Sequence, residues 1–403
     1  MATNIQSNRD RLCDLMVKSQ ASDLFLVAGS PVQLKINGVV GPVNDQRMMP
    51  DNTRQICYEL MNPDQVHEFE NTRECNFSFS LHGKGNFRVN VFRQRGSCAL
   101  VIRFLSYDIP QFETLGLPEH LKDVIMDKHG LILVVGATGS GKSTTIASMI
   151  DTRAREKSGH ILTLEDPLEY LFPHRKSIIT QREIGIDTDS YDNALKNAMR
   201  ESPDVLYISE IRDVTTMGHA LGYAQSGHLC VSTLHANNTY HAMHRILNFF
   251  PVDVRPVLRM ELAASLRCII SQRLVRKKDN TRVAAVEVLM NSSHTATLIE
   301  DGSFGEIKEA MEQRIIKGTQ TYDQALLELY RSDKIELDDA MAASDSPSNL
   351  SWLINNETKQ DSVARTKDKE EPEEPESEDD IFKEMSFDGS TTQVFDEQAG
   401  DKF

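Results

Sequence analysis

Residues Gly136-Ala137-Thr138-Gly139-Ser140-Gly141-Lys142-Ser143 constrain this chain more than any other stretch, because they fit G-x-x-x-x-G-K-[ST] in a matching context. The apolar run Leu131-Ile132-Leu133-Val134-Val135 before them has the form of a buried parallel strand. Thr144-Thr145-Ile146-Ala147-Ser148-Met149-Ile150 after them opens a helix. Glycines let the backbone curl closely around a polyphosphate, so that successive N–H groups and the helix N-terminus face negative charge. Lys142 is then expected to reach the β- and γ-phosphates and Ser143 to join a Mg²⁺ shell, with Thr144 completing the binding set. The expected ligand is a nucleoside triphosphate.

The surrounding pattern predicts an α/β protein. Helical periodicity covers Asn8 to Ser19, and Asp23 to Ala28 reads as a strand. Val32 to Val40 alternates as a hairpin around Asn37-Gly38. Arg54 to Met61 and Asp64 to Asn71 read as helices; Cys75 to Leu81, Gly85 to Arg93 and Ser97 to Leu105 read as successive antiparallel strands. Ile109-Pro110 through Leu117-Pro118 is a proline-bounded connector, expected to act as a hinge. Apolar strands then alternate with helices, as in a parallel sheet covered on both faces: Leu131–Val135, His160–Leu164, Ser177–Gln181, Val205–Ser209 and Leu229–Thr233. From Arg255 through Arg267 to Ile354 the chain is expected to be mostly helical. The predicted division is 1–108, 109–118, 119–356 and 357–403.

Charge is concentrated at one end. Glu357 to Phe403 carries 16 acidic against 6 basic residues, a net −10 of the chain's −16. That tail is expected to be disordered, since Glu370 to Asp380 cannot bury apolar surface. The remainder is only mildly acidic, which argues against a nucleic-acid motor with its basic track. No apolar run approaches the ~20 residues needed to cross a bilayer. The N-terminus lacks a signal-peptide pattern, so a cytoplasmic protein is expected. Six scattered cysteines form no C-x-x-C pair and read as small buried residues.

Three further segments place polar groups just past predicted strands, where ligands bind in such sheets. Thr163-Leu164-Glu165-Asp166-Pro167-Leu168-Glu169-Tyr170 offers carboxylates that can hold Mg²⁺ or polarise water. Val205-Leu206-Tyr207-Ile208-Ser209-Glu210 has the form of a Walker B strand, with Glu210 expected at the metal. Gly227-His228-Leu229-Cys230-Val231-Ser232-Thr233-Leu234-His235 ends another strand, and His235 can hydrogen-bond a γ-phosphate.

In order and spacing these segments resemble the secretion-type ATPases, and within them the retraction ATPases of type IV pili. The likeness runs from Ser22-Asp23-Leu24 to Thr321–Leu326, and it leans toward the second, accessory retraction ATPase. The resemblance implies a RecA-like ATPase domain behind a smaller PAS-like N-terminal domain, with ATP and Mg²⁺ bound and six copies in a ring. It maps the catalytic base to Glu169, the Walker B carboxylate to Glu210, and the histidine box to His228 and His235. Lys142 and His235 join the catalytic set, and Ser143, Glu210 and Glu165 the metal set. N-terminal arginines contact phosphate in such enzymes, which points here to Arg88, Arg93, Arg95 and Arg103, with Arg88 and Arg103 foremost. Ser209 departs from the usual glycine. The implied partners are a sister retraction ATPase and an inner-membrane pilus platform protein, with no nucleic acid and only peripheral membrane contact. The expected function is an ATP-hydrolysing motor for pilus retraction; the alternative is an ATP-binding regulatory subunit with little motor activity of its own.

Overall fold

The computed structural model describes residues 7–36, 38–81, 84–105, 108–313 and 315–355. Among the described residues, those up to Leu350 belong to one compact unit, and those from Ser351 to Asn355 fall outside it. Asn37 of the predicted hairpin turn and the acidic tail from Glu357 lie outside the described residues.

The first sheet follows from alternation. Its strands are β1 (Asp23–Val27), β2 (Pro31–Ile36), β3 (Val39–Arg47), β4 (Glu74–Leu81), β5 (Gly85–Gln94) and β6 (Ser97–Leu105). They pair antiparallel in the order β3-β2-β1-β6-β5-β4. Along β5, Phe87, Val89 and Val91 are fully buried while the residues between them are not, as a half-buried strand requires. That face packs on helices Asn8–Lys18, Pro50–Leu60 and Pro63–Thr72, through Cys13, Met16, Cys57, Leu60 and Phe69. Asn62 caps the third helix reciprocally with Gln65, so its start is set locally.

The second sheet comprises β7 (Gly130–Val135), β8 (Gly159–Glu165), β9 (Ser177–Glu183), β10 (Val205–Ile208), β11 (Leu229–Leu234), β12 (Leu266–Arg276) and β13 (Arg282–Met290). Their order is β13-β12-β7-β11-β10-β8-β9, parallel except for the antiparallel edge strand β13. Both faces are covered. Leu131, Leu133 and Val135 of β7 enter one core layer, and Ile132 and Val134 enter the other with Ile146, Met149 and Ile150 of helix Lys142–Glu156. Each such fully buried aliphatic side chain contributes about 1.5–3 kcal/mol.

β12 and β13 correct the expectation of a mostly helical segment after Arg255. Cys268 to Ser271 and Ala285 to Leu289 are buried on both faces, so neither strand alternates, and Ala, Glu and Leu mimic helix composition. The connector between the sheets contains a 3₁₀ turn at Phe112–Leu115. All six cysteines are free and buried, and burial alone pushes the Cys230 thiol up to about 12. Among the described residues, no helix is long and apolar enough to cross a membrane.

Candidate active site

The phosphate loop joins the C-terminal end of β7 to helix Lys142–Glu156, whose N-terminus carries partial positive charge. Two of its glycines are enforced by close approach. Gly136 has φ +152°, and a side chain there would meet the Gln272 carbonyl at 2.6 Å and the Ser140 hydroxyl. Gly141 has φ +93°, and a side chain would meet Gln272 Nε2 at 2.7 Å. Lys142 is buried at 8% exposure and donates to the Gly136 and Ala137 carbonyls, both at 3.0 Å. Burial lowers its pKa, while Glu210 and Glu169 act in the opposite sense, which places both carboxylates within its field.

Carboxylates converge from neighbouring strands because parallel strands put all their C-terminal ends on one edge. Glu165 closes β8, and burial pushes its pKa up to about 7, against hydrogen bonds from Thr163 Oγ1 at 2.7 Å and Gln181 Nε2 at 3.1 Å. Glu210 follows β10; its carboxylate lies 3.1 Å from His235 Nε2 and accepts from Arg212 Nε at 2.8 Å. Arg212 continues to Asp166 Oδ2 at 3.2 Å. His235, Glu210, Arg212 and Asp166 thus form one continuous network. Ser209 adds a bond that glycine would lack: its Oγ accepts the Asp166 N–H at 3.2 Å and lies 2.5 Å from Tyr191 Oη. Tyr170 Oη lies 2.9 Å from Thr144 Oγ1, tying the acidic segment to the phosphate-loop helix.

Of these groups, Lys142, Thr144, Glu165, Asp166, Ser209, Glu210 and His235 face one cavity of about 480 Å³. Thr138, Gly139, Gly141, Lys142, Ser143 and Thr144 line it on one side; Glu165, Glu169, Glu210 and His235 line it on the other. Gly136, Ala137 and Ser140 do not line the cavity; Gly136 and Ser140 are buried and Ala137 is exposed. The cavity is polar and opens to solvent at exposed Glu169.

Not every expected residue arrives there. His228 precedes β11, and its carbonyl accepts the N–H of Gly130, the first residue of β7. β11 therefore separates His228 from His235 by about 23 Å, at ~3.3 Å per residue, and His228 stands at the opposite edge of the sheet. The N-terminal arginines are also elsewhere in this chain. Arg88 pairs with Glu183 at 3.0 Å, Arg103 with Asp23 at 2.8 Å and Arg93 with Glu70 at 3.4 Å. Arg95 holds a left-handed turn position with φ +50°.

Conversely, Leu274 and Arg282 line the cavity from the β12–β13 hairpin, which helix-like composition hid. Gln272 backs the loop and accepts from Thr145 Oγ1 at 2.7 Å. No motif announces Gln272; only the β12 strand next to β7 brings it there.

The sequence profile of the family described as type II/IV secretion system protein matches residues 4–363. The chain is 44% identical over 346 residues to the type IV pilus ATPase PilU of Pseudomonas aeruginosa, spanning 86% of this chain and 91% of that protein. It is 36% identical over 333 residues to the type IV pilus retraction ATPase PilT of the same organism, spanning 83% and 97% respectively. The crystal structure of the pilus retraction motor PilT with bound ADP superposes with a TM-score of 0.80 at 42% identity, covering 85% of this chain and 98% of that one. A phosphate loop facing convergent carboxylates, on a fold shared over that length, makes this chain an ATPase of the type II/IV secretion system protein family, of the PilT/PilU pilus retraction type.

Proposed function

We propose that this chain hydrolyses ATP along residues 136–143 and that turnover powers or assists type IV pilus retraction, in concert with a sister retraction ATPase. The convergence of the phosphate loop with Glu169, Glu210 and His235 on one cavity carries this reading. The oxygen of a water forms a bond to the γ-phosphorus as the bond to the β–γ bridging oxygen breaks. Glu169 orients that water and takes its proton. Loop N–H groups and Lys142 stabilise the charge on the transferred group. Ser143, Glu210 and Glu165 present hard oxygen donors, the chemistry that Mg²⁺ prefers, and they line the same cavity. When bound, Mg²⁺ neutralises charge on the phosphates. In this reading His235, 3.1 Å from Glu210, registers whether a γ-phosphate is present.

The motor reading adds a ring of six copies in the cytoplasm, docked on the inner membrane through a pilus platform protein. Closure across 109–118 with ATP and release after hydrolysis supplies the stroke. Retraction is the test. Cells with this chain as the only retraction ATPase, and cells that also carry the sister enzyme, are compared with matching strains bearing Lys142→Ala. Loss of retraction in the Lys142→Ala strain supports a motor, and unchanged retraction in both backgrounds contradicts it.

A further inference from the structure

His235 stands on the link 235–238, between the end of β11 at Leu234 and helix Thr239–Phe249. β7 and β10 hold β11 itself in register, but a polar group on a loop needs rigid neighbours to aim it. Two residues past His235, the Asn237 carbonyl accepts Arg273 Nη2 at 3.0 Å. At the next position Asn238 Nδ2 donates to Asp345 Oδ2 at 3.0 Å, while Asn238 Oδ1 accepts the His241 N–H at 2.8 Å and caps the helix. The backbone of one residue and the side chain of the next are therefore gripped together.

The two gripping residues are joined to each other and fixed from behind. Arg273 pairs with Asp345 Oδ1 at 2.5 Å, and its Nη1 donates to the Ala343 carbonyl at 2.6 Å. Its guanidinium lies 3.9 Å from the centre of the Tyr322 ring, which is 1% exposed and whose hydroxyl stands 2.7 Å from Ser271 Oγ. A planar fork stacked on a buried ring reaches three acceptors at once, which a lysine ammonium does not reproduce. Asp345 is steadied on both sides, because Ser344 Oγ and Asn349 Nδ2 donate to the Asp323 carboxylate at 2.5 and 3.2 Å. Successive side chains of a strand point to opposite faces. On β12, Gln272 thus backs the phosphate loop while Arg273 grips the link, and one strand sets the distance between them.

Arg273 and Asp345 do not line the cavity, so their effect on the site passes through the link. Resting on the reading of His235 as the group that registers the γ-phosphate, we infer that Arg273 and Asp345 are positioning residues for His235. The pair fixes the link that carries the imidazole, and it makes the aim of His235 depend on the segment that follows helix Leu337–Ala343.

The test is steady-state phosphate release and ATP affinity for the full-length wild type, Arg273→Ala, Arg273→Lys, Asp345→Ala, His235→Ala and the Arg273→Ala/His235→Ala double variant, each confirmed folded by thermal unfolding. Arg273→Ala should lower kcat about fivefold with KM changed less than about twofold, and Asp345→Ala should act in the same direction. Arg273→Lys should recover part of the loss, because it keeps the charge opposite Asp345. The double variant should be no slower than His235→Ala alone, since no imidazole is left to aim. Should Arg273→Ala unfold, Asp345→Ala takes its place in both comparisons. Losses that multiply in the double variant overturn the inference, as does a rise in KM with kcat unchanged. Wild-type kcat in His235→Ala removes the reading of His235 and this inference with it, whereas a slowed His235→Ala beside wild-type kcat in Arg273→Ala removes the inference alone.

Discussion

The two edges of the parallel sheet carry similar residues and use them differently. At the N-terminal edge, Asp204 accepts the His160 N–H at 2.8 Å, Arg267 donates to the His129 carbonyl at 3.0 Å, and Ser226 Oγ lies 3.0 Å from His228 Nδ1. These groups cap backbone or neighbouring loops. At the C-terminal edge, Glu210 meets His235 and Arg212, Arg212 meets Asp166, and carboxylates and a lysine surround a cavity. Strand direction causes the difference, because the phosphate-loop helix begins at the C-terminal edge and turns its positive end toward the cavity. A histidine or carboxylate here takes its role from the edge on which its strand places it.

Three perturbations sharpen that comparison. The largest effect is expected at Lys142, whose ammonium lies in the fields of Glu210 and Glu169. Lys142→Ala should lower ATP turnover roughly a thousandfold, and phosphate release measures it. Next come the paired histidines. His235→Ala should cost about tenfold or more in kcat, as a hydrogen bond to a charged group contributes about 1.5–3 kcal/mol. His228→Ala should cost less than about twofold, as for other substitutions away from a site. Equal losses at the two positions would erase the distinction between the edges.

The third effect is on stability rather than rate and concerns Glu165, whose pKa burial raises to about 7. A carboxyl raised in the folded state contributes stability that is complete below its unfolded value near ~4.3 and is lost as pH rises through about 7. Glu165→Gln keeps an oxygen that accepts from Thr163 and Gln181. The variant should therefore gain on wild type between about pH 5.5 and about pH 8, by roughly 1–3 kcal/mol as read from unfolding curves. A constant difference across that range would mean that Glu165 stays charged.

Much of this was legible in the chain. Alternation marked β4 to β6, and unbroken apolar runs marked β7, β10 and β11 as strands buried on both faces. The phosphate loop and the acids closing β8 and following β10 were readable because strand ends are short and polar groups there face one way. The β12–β13 hairpin was not, because a strand buried on both faces has no period to betray it. With it Gln272 and Arg282 went unseen. His228 was grouped with His235 by the resemblance to the family's histidine box, and the two stand at opposite ends of β11. The partners of Arg88 and Arg103 depend on residues far along the chain, Glu183 for one and Asp23 for the other, which local pattern does not reveal.

The central claim is that Glu169 activates the water that cleaves ATP held at residues 136–143. Single-turnover phosphate release by purified wild type and Glu169→Gln, each saturated with Mg-ATP whose binding is measured in parallel, tests it most directly. The account predicts that the variant binds Mg-ATP as wild type does but cleaves it at least about a hundredfold more slowly. Cleavage by a folded, ATP-bound Glu169→Gln protein at the wild-type rate would contradict it.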